Sequence, residues 1–169
     1  RKFYRSVFEA ERLIKEDGGL QSIHFEFTEW VNKITPLNKA PGVKENWFFA
    51  NSTHIVDLAF YLSGLPVKWN TYCQKGEISW HEKSNFVGAG ITERDVLFSY
   101  ISNWESAGRW AIELLTNKRR IYLKPLEEIK LQNRDSVMIS EHQFDNTLDK
   151  QYKPGLFKQV EAFLLDDTL

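Results

Sequence analysis

At 169 residues and a formal net charge of −1, the chain can bury one substantial core, and it has no basic excess with which to grip nucleic acid or an anionic membrane. Hydrophobic residues at 42% and charged residues at 27% are ordinary for a globular domain, whereas 14% aromatic, with six Trp, supplies rings of the kind that line pockets and interfaces. The single cysteine, Cys73, excludes an internal disulfide and a cysteine-based zinc site, and no run approaches the roughly 20 apolar residues of a membrane span.

A reducing, cytoplasmic setting without membrane or nucleic-acid partners is therefore expected. The opening RKFYRSVFEAERL lacks the small-residue cleavage site of a signal peptide. Met138 is the only methionine, so the chain reads as a fragment or processed product whose missing part carries some of the chemistry.

In chain order, residues 3–16 repeat apolar positions at Val7, Ala10, Leu13 and Ile14, predicting an amphipathic helix that Asp17-Gly18-Gly19 stops. Residues 20–31 alternate, with Ile23, Phe25 and Phe27 on one side and His24, Glu26 and Thr28 on the other, as in a strand. Residues 32–45 contain Pro36, Pro41 and Gly42 without a period, and predict a loop of the length that often covers a site.

Residues 46–64, NWFFANSTHIVDLAFYLSG, predict one long helix, with Asn46 as its N-cap, Gly64 just past its end and Pro66 beyond. Spacings of three and four place His54 on one stripe with Trp47, Ala50, Asn51, Asp57, Leu58 and Tyr61. Histidine titrates near neutrality without much tuning, so His54 is either a satisfied core histidine or a general base. Asp57 either orients that imidazole or caps a neighbouring loop.

Beyond Pro66 the segments 67–75, 94–103, 109–116, 119–124, 129–132 and 137–142 are strand-like, with a tight hairpin at Asn117-Lys118. Consecutive strands without intervening helices predict a largely antiparallel sheet. Pro154 opens a last helix through Phe157, Val160, Phe163 and Leu164, with no terminator before Leu169. The fold class is α+β: a mixed, mostly antiparallel, open-faced sheet with helices on one face. Val96, Phe98 and Tyr100 oppose Leu97 and Ile101 across one strand, so the open face needs a second subunit or a missing domain over it.

Three motifs weaken on inspection. Gly88-Ala89-Gly90 begins like a dinucleotide fingerprint, but Glu93 stands where the third glycine belongs and a strand follows, so it is read as a turn. His81-Glu82 begins like a zinc motif, but Asn85 replaces the second histidine, and Ser52 beside His54 lacks elbow glycines. Residues 103–110, NWESAGRW, read as a long hairpin turn with an Arg109–Trp stack.

Through RKFYRSV, NSTHIVDLAFYLSG, FVGAGIT, NWESAGRW and PGLFKQVEAFL, the chain resembles the C-terminal domain of the Gfo/Idh/MocA oxidoreductases, named for glucose-fructose oxidoreductase and inositol dehydrogenase. The resemblance implies that residues 1–169 are a substrate-binding and oligomerisation domain, with the nucleotide-binding domain absent from this chain. It also implies NAD(P)-dependent oxidation or reduction of a sugar, cyclitol or nucleotide-sugar hydroxyl, in which His54 takes the hydroxyl proton or orients the substrate. Asn51, Trp47, Arg109 and Trp104 are candidate substrate contacts, Asp57 is an orienting or structural group, and no metal is expected. NAD or NADP would be held by the missing domain, so the fragment alone is expected to bind no cofactor and to be inactive. The open sheet face is expected to form a homo-oligomer. Ala50 departs from the family pattern, which places an acidic residue four before the histidine, and this motivates the alternative of a non-enzymatic binding or assembly module.

Overall fold

The computed structural model describes residues 1–165, and the end of the last helix at Leu169 lies outside the described residues. Helix α1 (Arg5–Glu16) buries Val7, Ala10 and Leu13 and leads into strand β1 (Ser22–Glu26). A short helix α2 (Val31–Ile34) follows, then a run of turns, a π turn (Phe48–Ser52) and helix α3 (Thr53–Ser63). The strands β2 (Pro66–Gln74), β3 (Asn85–Thr92), β4 (Leu97–Asn103), β5 (Ala111–Leu115), β6 (Arg119–Leu123), β7 (Lys130–Asn133) and β8 (Ile139–Glu141) come next, and the helices α4 (Thr147–Gln151) and α5 (Leu156–Leu165) end the described chain.

All eight strands form one sheet in the order β2-β3-β4-β1-β5-β6-β7-β8. Each pair is antiparallel except β1 with β4, which run parallel with Phe25 opposite Tyr100. The expected α+β architecture with a mostly antiparallel sheet is therefore the one observed.

The main core lies between the helices and the inward side chains of the sheet. Val7, Ala10 and Leu13 of α1 and Ile55, Leu58 and Ala59 of α3 close over Ile23, Phe25, Ile112, Leu114, Ile121 and Leu123. Burying a side chain of this size contributes about 1.5–3 kcal/mol. The opposite face divides in two. Across β2, β3 and β4 it presents Tyr72, Val87, Leu97 and Ile101, of which Leu97 and Ile101 are 58% and 49% exposed. Across β1, β5 and β6 it is polar, carrying His24, Glu26, Glu113 and Arg120. The apolar residues expected on both sides of residues 94–103 thus fall as predicted, Phe98 inward and Leu97 outward. Helix α5 forms where a helix is expected, yet none of its residues is buried.

Three local expectations are corrected. Gly88-Ala89-Gly90 is not a turn but the middle of β3, and glycine is required there because a Cβ on Gly88 would meet the Tyr100 ring at 2.4 Å and one on Gly90 the Lys68 carbonyl at 2.2 Å. Residues 104–110 are not a hairpin, since β1 lies between β4 and β5 and the segment bridges over the end of β1. The predicted single helix over 46–64 starts instead through the π turn, and the Asn46 side chain donates back to the Gly42 carbonyl at 2.9 Å rather than capping the helix. Its far end is as predicted, with Gly64 at φ 91° just past Ser63.

Candidate functional site

The alternation of β1 buries Ile23 and Phe25, and beyond the strand Phe27, Thr28 and Glu29 are all buried. A carboxylate that is 1% exposed costs several kcal/mol unless it is hydrogen-bonded and paired. Four donors supply this. Glu29 Oε1 accepts from Asn51 Nδ2 at 2.8 Å, Ser52 Oγ at 2.9 Å and Trp110 Nε1 at 3.1 Å, while Oε2 accepts from Arg109 Nη1 at 2.7 Å. Two of these donors lie in the π turn and two in the segment that bridges over β1. Glu29 therefore fastens both to the end of the central strand, and the widened turn is where a helix admits an off-register side chain.

His54 stands one turn beyond this anchor, exposed, with its ring centroid 6.4 Å from that of Trp110. The Arg109 guanidinium lies over Trp110 at 4.8 Å and over Trp30 at 5.2 Å, in line with the predicted Arg–Trp stack. Trp30 Nε1 in turn donates to the Gly108 carbonyl. The Arg1 guanidinium reaches the same Trp110 ring at 5.3 Å and is held below its ordinary pKa, chiefly by burial and further by the like charge of Arg109, while Glu127 pulls it up. The site is thus an exposed imidazole beside an indole, flanked by two guanidinium groups. The imidazole can accept a proton from a ligand hydroxyl, and the more exposed ring beside Arg109 is that of Trp30, at 48%, since Trp110 is only 5% exposed.

The candidates from the sequence divide accordingly. His54, Asn51 and Arg109 are brought together. Asp57 is exposed one turn on from His54, and among the described residues no hydrogen bond joins the two. Trp47 and Trp104 sit elsewhere, in a second core cluster with Ile34 and Ile78 under the 35–46 segment, where Trp104 is 1% exposed and both indole Nε1 atoms are buried without an acceptor. Ala50 is exposed and takes no part in the Glu29 network. No motif of the sequence marks Glu29, although its spacing from Ile23, Phe25 and Phe27 puts an acid in phase with the apolar side, and Trp110 enters only through the Arg109–Trp stack.

Away from this site, a second concavity of about 390 Å³ opens between α3 and β2, lined by Phe25, Phe48, Phe60, Trp69, Cys73 and Tyr100 among others. Among the described residues, no three His, Cys, Asp or Glu side chains cluster so as to hold a metal ion. No described helix is long and apolar enough to cross a membrane. Neither strand-to-helix connection, residues 27–30 or 142–146, contains a glycine, so the described residues do not form the phosphate-cradling turn of a dinucleotide site.

No protein-family model matches the sequence, and no curated protein matches it. Solved structures do match the fold. A dehydrogenase (MviM) from Clostridium difficile superposes with a TM-score of 0.70 at 12% identity, covering 97% of this chain and 50% of that one. Levoglucosan dehydrogenase, solved with NADH and levoglucosan, gives 0.63 at 14% identity over 85% of this chain and 44% of that one. A super-repressor mutant of Gal80p from Saccharomyces cerevisiae gives 0.65 at 13% identity over 96% and 50%. The chain spans about half the length of the solved proteins it matches. Its fold is the one found in the C-terminal domains of Gfo/Idh/MocA-type oxidoreductases.

Proposed function

We propose that this chain is the substrate-binding and oligomerisation domain of an NAD(P)-dependent oxidoreductase acting on a hydroxyl of a sugar, cyclitol or nucleotide sugar. The observation that carries the reading is the exposed His54, its ring 6.4 Å from that of Trp110, on the helix that leads out of the turn anchored by buried Glu29, in a fold shared with sugar-acting dehydrogenases. NAD or NADP is bound mainly by an N-terminal domain outside this chain. When bound, the nicotinamide exchanges hydride with the substrate carbon. The part played here is to seat the substrate on the aromatic shelf, with Arg109 as a contact, and to take the hydroxyl proton on the imidazole of His54. Asn51 serves indirectly, its amide being engaged by Glu29. This chain by itself is inactive, and the cytoplasm is its setting.

His54→Ala in the full-length protein is expected to cut turnover by roughly 10²- to 10⁴-fold, the usual worth of a positioned general base. Unchanged turnover would remove His54 from the chemistry. The oligomerisation part rests on the apolar half of the open face. Leu97→Asp with Ile101→Asp should give a monomer by sedimentation while each changes stability by no more than about 0.5 kcal/mol, as for other surface positions. A wild-type chain that stays monomeric at high concentration contradicts it.

A second reading is a binding or assembly module that keeps this fold without the chemistry. Two observations favour it: Ala50 supplies no acid beside His54, and the fold also occurs in Gal80p, known in a super-repressor form. Upstream coding sequence separates the readings. A glycine-rich βαβ unit followed by a lysine in a Glu-Lys-Pro context favours the enzyme.

A further inference from the structure

Arg109 is unusual among the arginines of this chain in how it is held. Its Nη1 is committed to Glu29 at 2.7 Å, and its guanidinium plane lies over two indole rings. Among the described residues this is its only hydrogen bond and only ion pair, so Nε and Nη2 have no protein acceptor. Those two N–H groups form one edge of the guanidinium fork, with the spacing that matches the two oxygens of a carboxylate or phosphate. The side chain remains 44% exposed, so this preset fork is open to solvent.

A second cation accompanies it. The Arg1 guanidinium lies over the same Trp110 ring, and its side chain makes no hydrogen bond or ion pair among the described residues. Two like charges beside one buried ring repel each other, and a bound anion would relieve that repulsion. Glu29 is buried behind Arg109, Glu127 acts on Arg1, and Asp57 lies one turn past His54.

We infer that the ligand of the His54 site carries a carboxylate or phosphate group, read in its plane by the Nε and Nη2 of Arg109, with Arg1 adding longer-range attraction. This rests on His54 and Arg109 facing the ligand and narrows the substrate class to an anionic sugar-like molecule.

The test is a titration of the ¹⁵N-labelled chain with glucuronate, glucose 6-phosphate, glucose and inorganic phosphate, read at the indole N–H groups of Trp30 and Trp110. One or both anionic sugars should bind roughly tenfold or more tightly than glucose, the worth of one added charge-assisted contact, and should weaken as salt rises. Which of the two is preferred distinguishes carboxylate from phosphate. Arg109→Lys keeps a charge against Glu29 but loses the fork, and should abolish the preference. Should that variant fail to fold, Arg1→Gln serves, because it disturbs no hydrogen bond. Its affinity for the anionic sugar should fall several-fold, and undiminished affinity overturns the two-cation site. Glucose binding as well as its anionic relatives overturns the inference and leaves the sugar site standing. Inorganic phosphate shifting the indoles while no sugar does supports the anion site and removes the sugar reading. Failure of every anion to shift them overturns the inference.

Discussion

Strand β1 is bracketed by two buried acids, Asp17 before it and Glu29 after it, each facing an arginine. Asp17 accepts from Thr116 Oγ1 at 2.7 Å and from Arg119 Nη2 at 2.7 Å, tying the end of α1 to the β5–β6 hairpin. Arg119 shares that same nitrogen with Glu16, and its side chain is only 16% exposed. Glu29 accepts four hydrogen bonds, twice the number that Asp17 accepts from Thr116 and Arg119, and its arginine is 44% exposed. The chemistry of the two anchors is the same, and the difference lies in where the cation's remaining donors go. In one case they are buried, Arg119 Nε without a partner among the described residues, and in the other Nε and Nη2 belong to a side chain that is 44% exposed. Of the two pairs, the proposed site uses the one whose cation keeps an accessible edge.

The largest effect that sharpens this contrast is expected from Glu29→Ala. It strands the guanidinium of Arg109 and three neutral donors, and should cost about 3–5 kcal/mol in urea unfolding, as for other broken buried pairs. It should also move the His54 ring resonances. Asp17→Asn is expected to cost less, about 1–3 kcal/mol, because Arg119 retains Glu16. His54 and Trp110 should stay where they are, and a shift in either would break the distinction between an anchor for stability and an anchor for the site. The smallest effect concerns Glu9, half-buried on α1. Hydrogen bonds from Arg12 first, and also from His142, hold its pKa at about 2, down from 4.5. A depressed carboxylate stabilises the fold fully above the higher value, and this contribution is lost as pH falls toward about 2. In Glu9→Gln the acid limb of the stability curve should flatten over that window, with no change at His54.

Much of this was legible in the residues. The stripe of α1, the strand positions after Pro66, the stop at Gly64 and the two-sided strand 97–103 follow from local periodicity, and each appears in the structure. Gly88-Ala89-Gly90 misled because glycine pairs usually mark turns, whereas here they make room for Tyr100 from the neighbouring strand, a contact set by pairing rather than by neighbours in sequence. Residues 104–110 misled for the same reason: nothing local says that β1, some 75 residues earlier, is inserted between β4 and β5. Trp104 looked like a site residue for its company, NWESAGRW, and proved to be core, since an aromatic ring is equally at home in a pocket and in a buried cluster.

By itself the sequence determined the elements, the buried stripes and the histidine on its helix, because these depend on spacings of two and of three to four residues along one segment. It also determined that apolar side chains of the strand 97–103 would be left on the open face. Only the tertiary structure decided which polar groups meet. Glu29, Asn51, Ser52, Arg109 and Trp110 come from three separated segments, and a carboxylate's desolvation can be offset only by donors that packing delivers to it. That convergence also sets His54 near Trp110, a neighbour that spacing along one helix does not supply.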